Sequence, residues 1–364
     1  MASGAEVAAM RRAVELSTRG LGTTRPNPVV GCVVLGPDGR TTVGEGWHQR
    51  AGGPHAEVAA LAGAGARARG GTALVTLEPC AHHGRTPPCT DALLAAGVRR
   101  VVVAVRDPHP PAAGGVEVLR AAGVDVEVGV LAAEAGAANQ RWLAVQRRGR
   151  PYVTWKFAAS LDGRVAAADG TSRWITSRAA RLDAHRLRAE ADAVVVGVGT
   201  VLADDPQLTV RHVEPTAQPL RVVVDTRGRT PRGARVLDEA APTLLAVGRG
   251  VVPPPGADTV VLPPGEGGLD LAALLAALHA RDCQEVLVEG GPTLAGSFVD
   301  AGLVDRVVGY LAPALLGGPP AYPALRGRGA AGIAAAVRLT LQEVTPVGPD
   351  LRLTARLDPP DGED

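Results

Sequence analysis

The sequence is poor in several residue types, and each scarcity excludes something. Aromatics make up 2% of the 364 residues, too few for the stacking platforms on which single-stranded nucleic-acid binders rely. Charge of one sign is also lacking: 38 Lys and Arg against 37 Asp and Glu leave +1. Without a basic field there is no bulk attraction to nucleic acid or to an anionic membrane. No apolar run reaches the roughly 18 residues of a membrane-spanning helix. The opening stretch MASGAEVAAMRRAVELSTRG has no apolar segment behind a basic start. It reads as an amphipathic helix and not as a signal peptide, so a cytoplasmic location is expected. Cysteines number four, and in a cytosolic setting a disulfide is disfavoured. Gly and Pro are abundant, but no Gly-X-Y period accompanies them, which excludes collagen.

Lysine is nearly absent: Lys156 is the only one, while Asn is confined to Asn27 and Asn139 and Ile to Ile175 and Ile333. These three types share AT-rich codons, so a GC-rich genome accounts for the bias. A lysine that survives it marks a place where a compact ammonium serves and a planar guanidinium does not.

What is present is globular, with 46% hydrophobic residues and a length suited to about two domains. Alternating strands and helices predict an α/β architecture with largely buried sheets. In the first domain, residues 1–146, helices are expected over 5–20, from near His55, and over 90–97 and 115–122. Strands are expected over 28–35, 42–48, 72–78, 99–107 and 124–130. The segment 146–151 has the polar, Gly- and Pro-bearing character of a linker. In the second domain, residues 147–357, strands are expected over 152–160, 192–198, 220–226, 243–248, 259–263, 285–290 and 306–313. Helices are expected over 177–190, 269–281 and 293–302, followed by a hairpin of 337–344 with 350–357. The tail 358–364 is expected to be disordered.

The strongest chemical signal is His55-Ala-Glu57, then Glu78-Pro79-Cys80, then Cys89. Catalytic zinc takes about three protein ligands and keeps one position for water. One imidazole and two thiolates supply that set. Glu57 follows His55 by two residues, so its carboxylate reaches the water without ligating the metal. This is the arrangement of nucleobase deaminases, in which zinc acidifies water and a Glu moves its proton to the leaving amine. Each of these residues alone is more often a buried thiol or a helix-start histidine; the ordered set is what carries the signal. Cys32 and Cys283 read as structural.

Eight residues separate Cys80 and Cys89 in Glu78-Pro-Cys-Ala-His-His-Gly-Arg-Thr-Pro-Pro-Cys89, where ordinary cytidine deaminases have two. With Pro26-Asn27-Pro28-Val-Val-Gly31-Cys32 and Pro54-His-Ala-Glu57, the string closely resembles the bifunctional riboflavin-biosynthesis deaminase/reductases. The resemblance extends over about residues 5–357. It continues in Tyr152-Val-Thr-Trp-Lys156, Ser172-Arg-Trp174, Gly197-Val-Gly199-Thr200, Asp204-Asp205-Pro206-Gln-Leu208-Thr-Val-Arg211 and Val288-Glu289-Gly290-Gly291-Pro292-Thr293-Leu294. It implies a cytidine-deaminase-like zinc domain followed by a dihydrofolate-reductase-like domain that uses NADPH. The implied substrate is a diaminopyrimidinone bearing ribosylamino 5-phosphate, deaminated first and then reduced from ribosyl to ribityl.

Carried over by the resemblance, His55, Cys80 and Cys89 hold Zn2+ and Glu57 is the proton shuttle. Asn27 reads the pyrimidine edge, for which an amide that both donates and accepts is suited. Ala158, Trp174, Thr200, Asp204, Thr226, Gly291, Pro292, Thr293, Leu294, Ala295, Gly296 and Ser297 contact NADPH. The glycine turn and helix start at 290–293 would offer N–H groups to a pyrophosphate. Ser172, Arg188, Leu208, Arg211 and Glu289 contact the substrate, with Arg188 and Arg211 suited to a phosphate. Lys156 serves the substrate phosphate or the cofactor. Two departures from the family pattern are Asp107-Pro-His109-Pro, where Asp-Pro-Asn-Pro is usual, and Thr226, where Ser is common. Reductase folds of this type often pair through sheet edges, so a homodimer is expected. A nucleic-acid or nucleoside deaminase fused to an unrelated nucleotide-binding domain is the alternative, and it calls for the basic, aromatic-rich surface that this chain lacks. A non-catalytic sensor that keeps both pockets is a further one, disfavoured because no member of the catalytic set is missing.

Overall fold

The computed structural model describes residues 1–83, 87–109, 112–213, 217–318 and 322–357. The expected disordered tail lies outside them, as do two residues that follow His109. The chain forms two compact units, Met1–Arg148 and Gly149–Asp364.

The first unit runs α1 (Gly4–Thr18), β1 (Gly31–Leu35), β2 (Thr42–Trp47), α2 (Ala56–Ala64), β3 (Thr72–Leu77), α3 (Cys89–Ala96), β4 (Arg100–Val105), α4 (Gly115–Ala121), β5 (Asp125–Val128), α5 (Ala132–Ala138) and α6 (Gln140–Arg148). Its sheet has the order β2-β1-β3-β4-β5. The pairs β3–β4 and β4–β5 are parallel, and β1 is antiparallel to both neighbours. Every residue of β1 and β3 is buried, which explains their largely apolar sequence. Ser3 caps α1, with Glu6 reaching back to the Ser3 backbone, a reciprocal box that satisfies two orphan donors. Helix α2 lies hard against β2. A Cβ at Gly46 would sit 2.5 Å from Ala56 O and Ala60 N, so only glycine admits the helix that starts at the metal site.

Helices α5 and α6 differ from the sequence expectation. The Ala-rich 132–138 forms a helix that no periodic pattern announces, and the expected linker begins inside α6, which ends in Arg147 and Arg148. Polar residues and arginines there suit the last turn of a helix as well as they suit a linker.

The second unit runs β6 (Tyr152–Ser160), α7 (Arg178–Glu190), β7 (Ala193–Gly197), α8 (Val198–Asp204), β8 (Leu220–Asp225), β9 (Thr243–Val247), β10 (Asp258–Val261), β11 (Pro264–Gly265), β12 (Gly268–Leu269), α9 (Leu271–His279), β13 (Glu285–Val288), α10 (Pro292–Asp300), β14 (Arg306–Ala312), β15 (Leu339–Val347) and β16 (Asp350–Leu357). The order β10-β9-β8-β7-β13-β6-β14-β16-β15 forms one sheet. It is parallel from β10 to β14 and closed by the antiparallel hairpin β15–β16. Apolar cores cover both faces, one with Trp155 and Phe298, the other with Val308 and Tyr310. Helix α8 escaped the sequence reading because its seven residues follow directly on a buried strand.

Candidate active sites

Both sites lie where strands end and helices begin. In the first unit β3 stops at Leu77, and Glu78-Pro79-Cys80 follows. Glu78 is buried, and its carboxylate accepts from Val116 N at 2.9 Å and Asp107 N at 3.1 Å. It thereby pins the segment after β4 beside the site. His55 is the residue ahead of α2, Glu57 lies in its first turn, and α3 starts at Cys89. Cys89 N donates to Cys80 Sγ at 3.4 Å, and His55 Nδ1 lies 3.2 Å from Cys89 Sγ and 3.7 Å from Cys80 Sγ.

The ligand atoms of His55, Cys80 and Cys89 fall within 4.8 Å of one another. One imidazole nitrogen and two sulfurs in that space are a donor set that fits catalytic zinc. The hydrogen bond from Cys89, aided by His55, pulls the Cys80 thiol below its ordinary range, which favours the thiolate that a metal ligand needs. Glu57 is 3% exposed. Burial lifts its carboxyl to about 6, near the operating range of a group that must both take and return a proton. Cys32 is buried in the core, and Cys283 is also buried. Burial keeps both thiols protonated, in keeping with a structural role.

Asn27 Nδ2 lies 3.2 Å from His48 Nε2, and His48 Nδ1 lies 3.0 Å from Pro54 O. In the sequence His48 is only the end of the expected strand 42–48. Its His-Gln sequence carries no motif, and only the fold brings it to Asn27 and edge-on to His55, with ring centroids 5.4 Å apart. Asn139 was also unassigned. Its amide donates to Val29 O at 2.7 Å and accepts from Val29 N at 2.9 Å, holding the segment that leads from Asn27 into β1.

The second unit has a cleft of about 640 Å³. Ten of the residues expected to bind there line it: Lys156, Ala158, Ser172, Trp174, Arg188, Thr200, Asp204, Leu208, Arg211 and Glu289. Alternation along β6 turns Lys156 and Ala158 into the cleft, while Trp155 and Phe157 stack on the opposite face with centroids 4.9 Å apart. Lys156 Nζ sits 5.7 Å from the Tyr310 ring centroid. Burial draws the ammonium's pKa down, Glu289 pushes it up, and Arg188 draws it down again. Trp174 stands 68% exposed at the rim with the Arg181 guanidinium 4.2 Å from its ring centroid, so it is not a core aromatic.

Other expected contacts are placed differently. Arg188 is not a free phosphate fork: its Nε and Nη2 donate to the two Glu289 oxygens. The carboxylate occupies the bidentate face that a phosphate would need, whereas Arg211 donates through Nη1 to Thr209 Oγ1 and has no carboxylate ion pair among the described residues. Thr226 and residues 291–297 do not line this cleft. Gly291 N donates to Thr200 Oγ1 at 3.0 Å, joining the start of α10 to the cleft wall. Ala295 is in the core, and a Cβ on Gly296 would fall 1.2 Å from Arg326 O. Those two residues pack, so their side-chain faces are closed to a cofactor. Gly291, Pro292, Thr293, Leu294 and Ser297 remain at least partly accessible. Helix α10 has Pro near its start, and its first-turn N–H groups lack intrahelical partners. With Gly291 as the cap ahead of them, these free N–H groups are a donor set that fits a nucleotide pyrophosphate.

Residues 151–353 match the family model of the RibD C-terminal domain, and residues 5–105 match the cytidine and deoxycytidylate deaminase zinc-binding region. The chain belongs to the RibD family. The riboflavin biosynthesis protein RibD of Escherichia coli K12 is 46% identical over 94% of this chain and 97% of that protein. RibD of Mycobacterium tuberculosis is 49% identical over 95% and 96%. Among solved structures, Acinetobacter baumannii RibD superposes with a TM-score of 0.85 at 42% identity, covering 97% of this chain and 99% of that one. As a RibD protein, the chain is a bifunctional enzyme of riboflavin biosynthesis, with a zinc-dependent deaminase half and an NADPH-dependent reductase half. Among the described residues no helix is long and apolar enough to cross a membrane.

Proposed function

We propose that the first unit hydrolytically deaminates 2,5-diamino-6-(ribosylamino)-pyrimidinone 5'-phosphate and that the second reduces the ribosyl group of the product to ribityl. A RibD-type structure from Thermotoga maritima, 35% identical over 97% of this chain, carries the corresponding double name, a deaminase acting on the diaminohydroxyphosphoribosylaminopyrimidine and a reductase acting on the aminouracil. The observation that carries the reading is the coexistence of the His55–Cys80–Cys89 cluster beside buried Glu57 with a cleft holding Lys156, Glu289 and Arg211.

In the deaminase, bound zinc would acidify water near neutral pH. Glu57, buried beside the three ligands, is placed to take up a proton on its carboxylate and to return it to the leaving amine. Asn27, held by His48, meets the pyrimidine edge with its amide. Glu78 and Asn139 hold the flanking segments in register. In the reductase, bound NADPH would supply the hydride. Arg211 meets the substrate phosphate, and Leu208 and Ser172 flank it. Lys156, poised beside Glu289 and Tyr310, offers a cation to charge that develops at the ribosyl oxygen. Trp174, Thr200, Asp204 and the start of α10 hold the cofactor.

The partner is thus a small phosphorylated pyrimidine and not a nucleic acid, in the cytoplasm. A homodimer is supported by the outer strand β15, which leaves Leu339, Leu341 and Val344 exposed at the sheet edge; natural sheets rarely leave such an edge uncovered. The deciding experiment is metal analysis combined with NADPH oxidation. Stoichiometric zinc, and oxidation that starts on adding the diaminopyrimidinone phosphate, are expected. No oxidation with either the substrate or its deaminated form would overturn the reading.

A further inference from the structure

Among its described residues the loop between α8 and β8 holds three non-glycine residues in the left-handed region, Asp205 at φ 41°, Leu208 at φ 56° and His212 at φ 67°. Side chains rarely adopt this conformation unless the surroundings over-determine it. The surroundings here take hold of three consecutive residues. Arg188 Nη1 donates to Thr209 O at 3.1 Å. Gln218 grips Val210 with both ends of its amide, accepting from Val210 N at 2.8 Å and donating to Val210 O at 3.1 Å. Arg211 N donates to His185 Nδ1 at 3.2 Å. His185 and Arg188 are three apart on α7, hence on one helix face.

We propose that His185 is a positioning residue of the reductase cleft: its Nδ1 fixes the Arg211 backbone and so aims the Arg211 guanidinium at the substrate phosphate. The inference rests on the reading of Arg211 as a substrate contact. A backbone N–H can only donate, so Nδ1 accepts and the ring is neutral with its proton on Nε2. The groups around the ring favour that state. Arg188 faces it from α7, Arg211 and His212 from the loop, and Glu289 from the end of β13. Burial and then the two arginines hold the imidazole down at about 4, with Glu289 pulling the other way. Arg211 Nη1 in turn donates to Thr209 Oγ1 at 3.0 Å, so the guanidinium is oriented by the same stretch of backbone that the three side chains hold.

His185→Asn and His185→Gln separate an acceptor from a merely similar side chain. The Asn carbonyl falls where Nδ1 stands, whereas the Gln carbonyl reaches toward the Nε2 position. In the full-length zinc-loaded enzyme, His185→Gln should raise KM for the deaminated phosphorylated pyrimidine about tenfold, roughly 1.4 kcal/mol. It should leave KM for NADPH within about twofold and speed amide exchange across residues 208–213. His185→Asn should restore both readouts. An Asn variant as impaired as the Gln variant overturns the proposal, because ring packing and not Nδ1 would then matter. A Gln variant with parental exchange and parental KM overturns it as well. If the parent enzyme itself leaves this pyrimidine unreduced, the reductase reading fails, while the exchange comparison still decides whether His185 holds the loop.

Discussion

Arg188 and Glu289 meet as a two-pronged ion pair, with Nε–Oε1 at 2.6 Å and Nη2–Oε2 at 2.8 Å. Lys156, the sole lysine, lines the same cleft. One carboxylate therefore balances two cations in a poorly hydrated place. Burial opposes ionisation of Glu289, and Arg188 outweighs it and holds the carboxyl down at about 2.

Glu289→Leu should accordingly destabilise the reductase unit by about 3–5 kcal/mol, the usual effect of stranding a buried charge. Denaturant unfolding checks this. The pair also links stability to pH. The folded-state pKa is below the ordinary 4.5, so the contribution is whole above pH 4.5 and falls away as pH drops through about 2. In the Leu variant this acid-side loss should be absent.

Glu57→Gln should keep zinc and lose deamination by about 10²-fold or more, since an amide cannot take and return a proton. Reduction of already deaminated substrate should be unchanged. Near-parental ammonia release would remove Glu57 from the proton path.

Cys80→Ser and Cys89→Ser should each shed zinc, because a hydroxyl is a much poorer ligand than a thiolate. Metal analysis of the purified variants reads this directly, and full occupancy in either would strike that residue from the ligand set.

Lys156→Arg is the change that this sequence's composition favours everywhere else. Beside Tyr310, Arg188 and Glu289 a longer, planar cation cannot occupy the ammonium's place. Zinc content and deamination should be parental, and reductase kcat/KM should fall at least about tenfold, roughly 1.4 kcal/mol. Parental reduction would make the lysine a codon accident.

Gly296→Ala tests packing against cofactor contact. The added methyl would lie 1.2 Å from Arg326 O, and backbone must move to admit it. Overpacking of this kind costs about 1–3 kcal/mol or more. The thermal midpoint of the reductase unit should drop with or without NADPH. A variant with parental stability and weakened NADPH binding would show the opposite assignment to be correct.

The sequence by itself determined the elements whose signal is local. Short β-branched, mostly apolar runs such as 72–77 and 193–197 read as buried strands, and they are. His55, Glu57, Cys80 and Cys89 were legible because zinc chemistry constrains residue type and order together. Lys156 stood out by rarity, and alternation along its strand fixed which way it faces. Tertiary structure alone decided the rest. It paired Arg188 with Glu289, 101 positions away, and so withdrew the fork that a phosphate would need. It placed Ala295 and Gly296 in packing contacts although their neighbours Leu294 and Ser297 stay partly accessible. It brought His48 to Asn27, Asn139 to Val29 and His185 to Arg211, none of which has a motif. An ordinary His or Asn acquires its role from the group it meets. Which group that is depends on how strands and helices from distant parts of the chain are laid side by side.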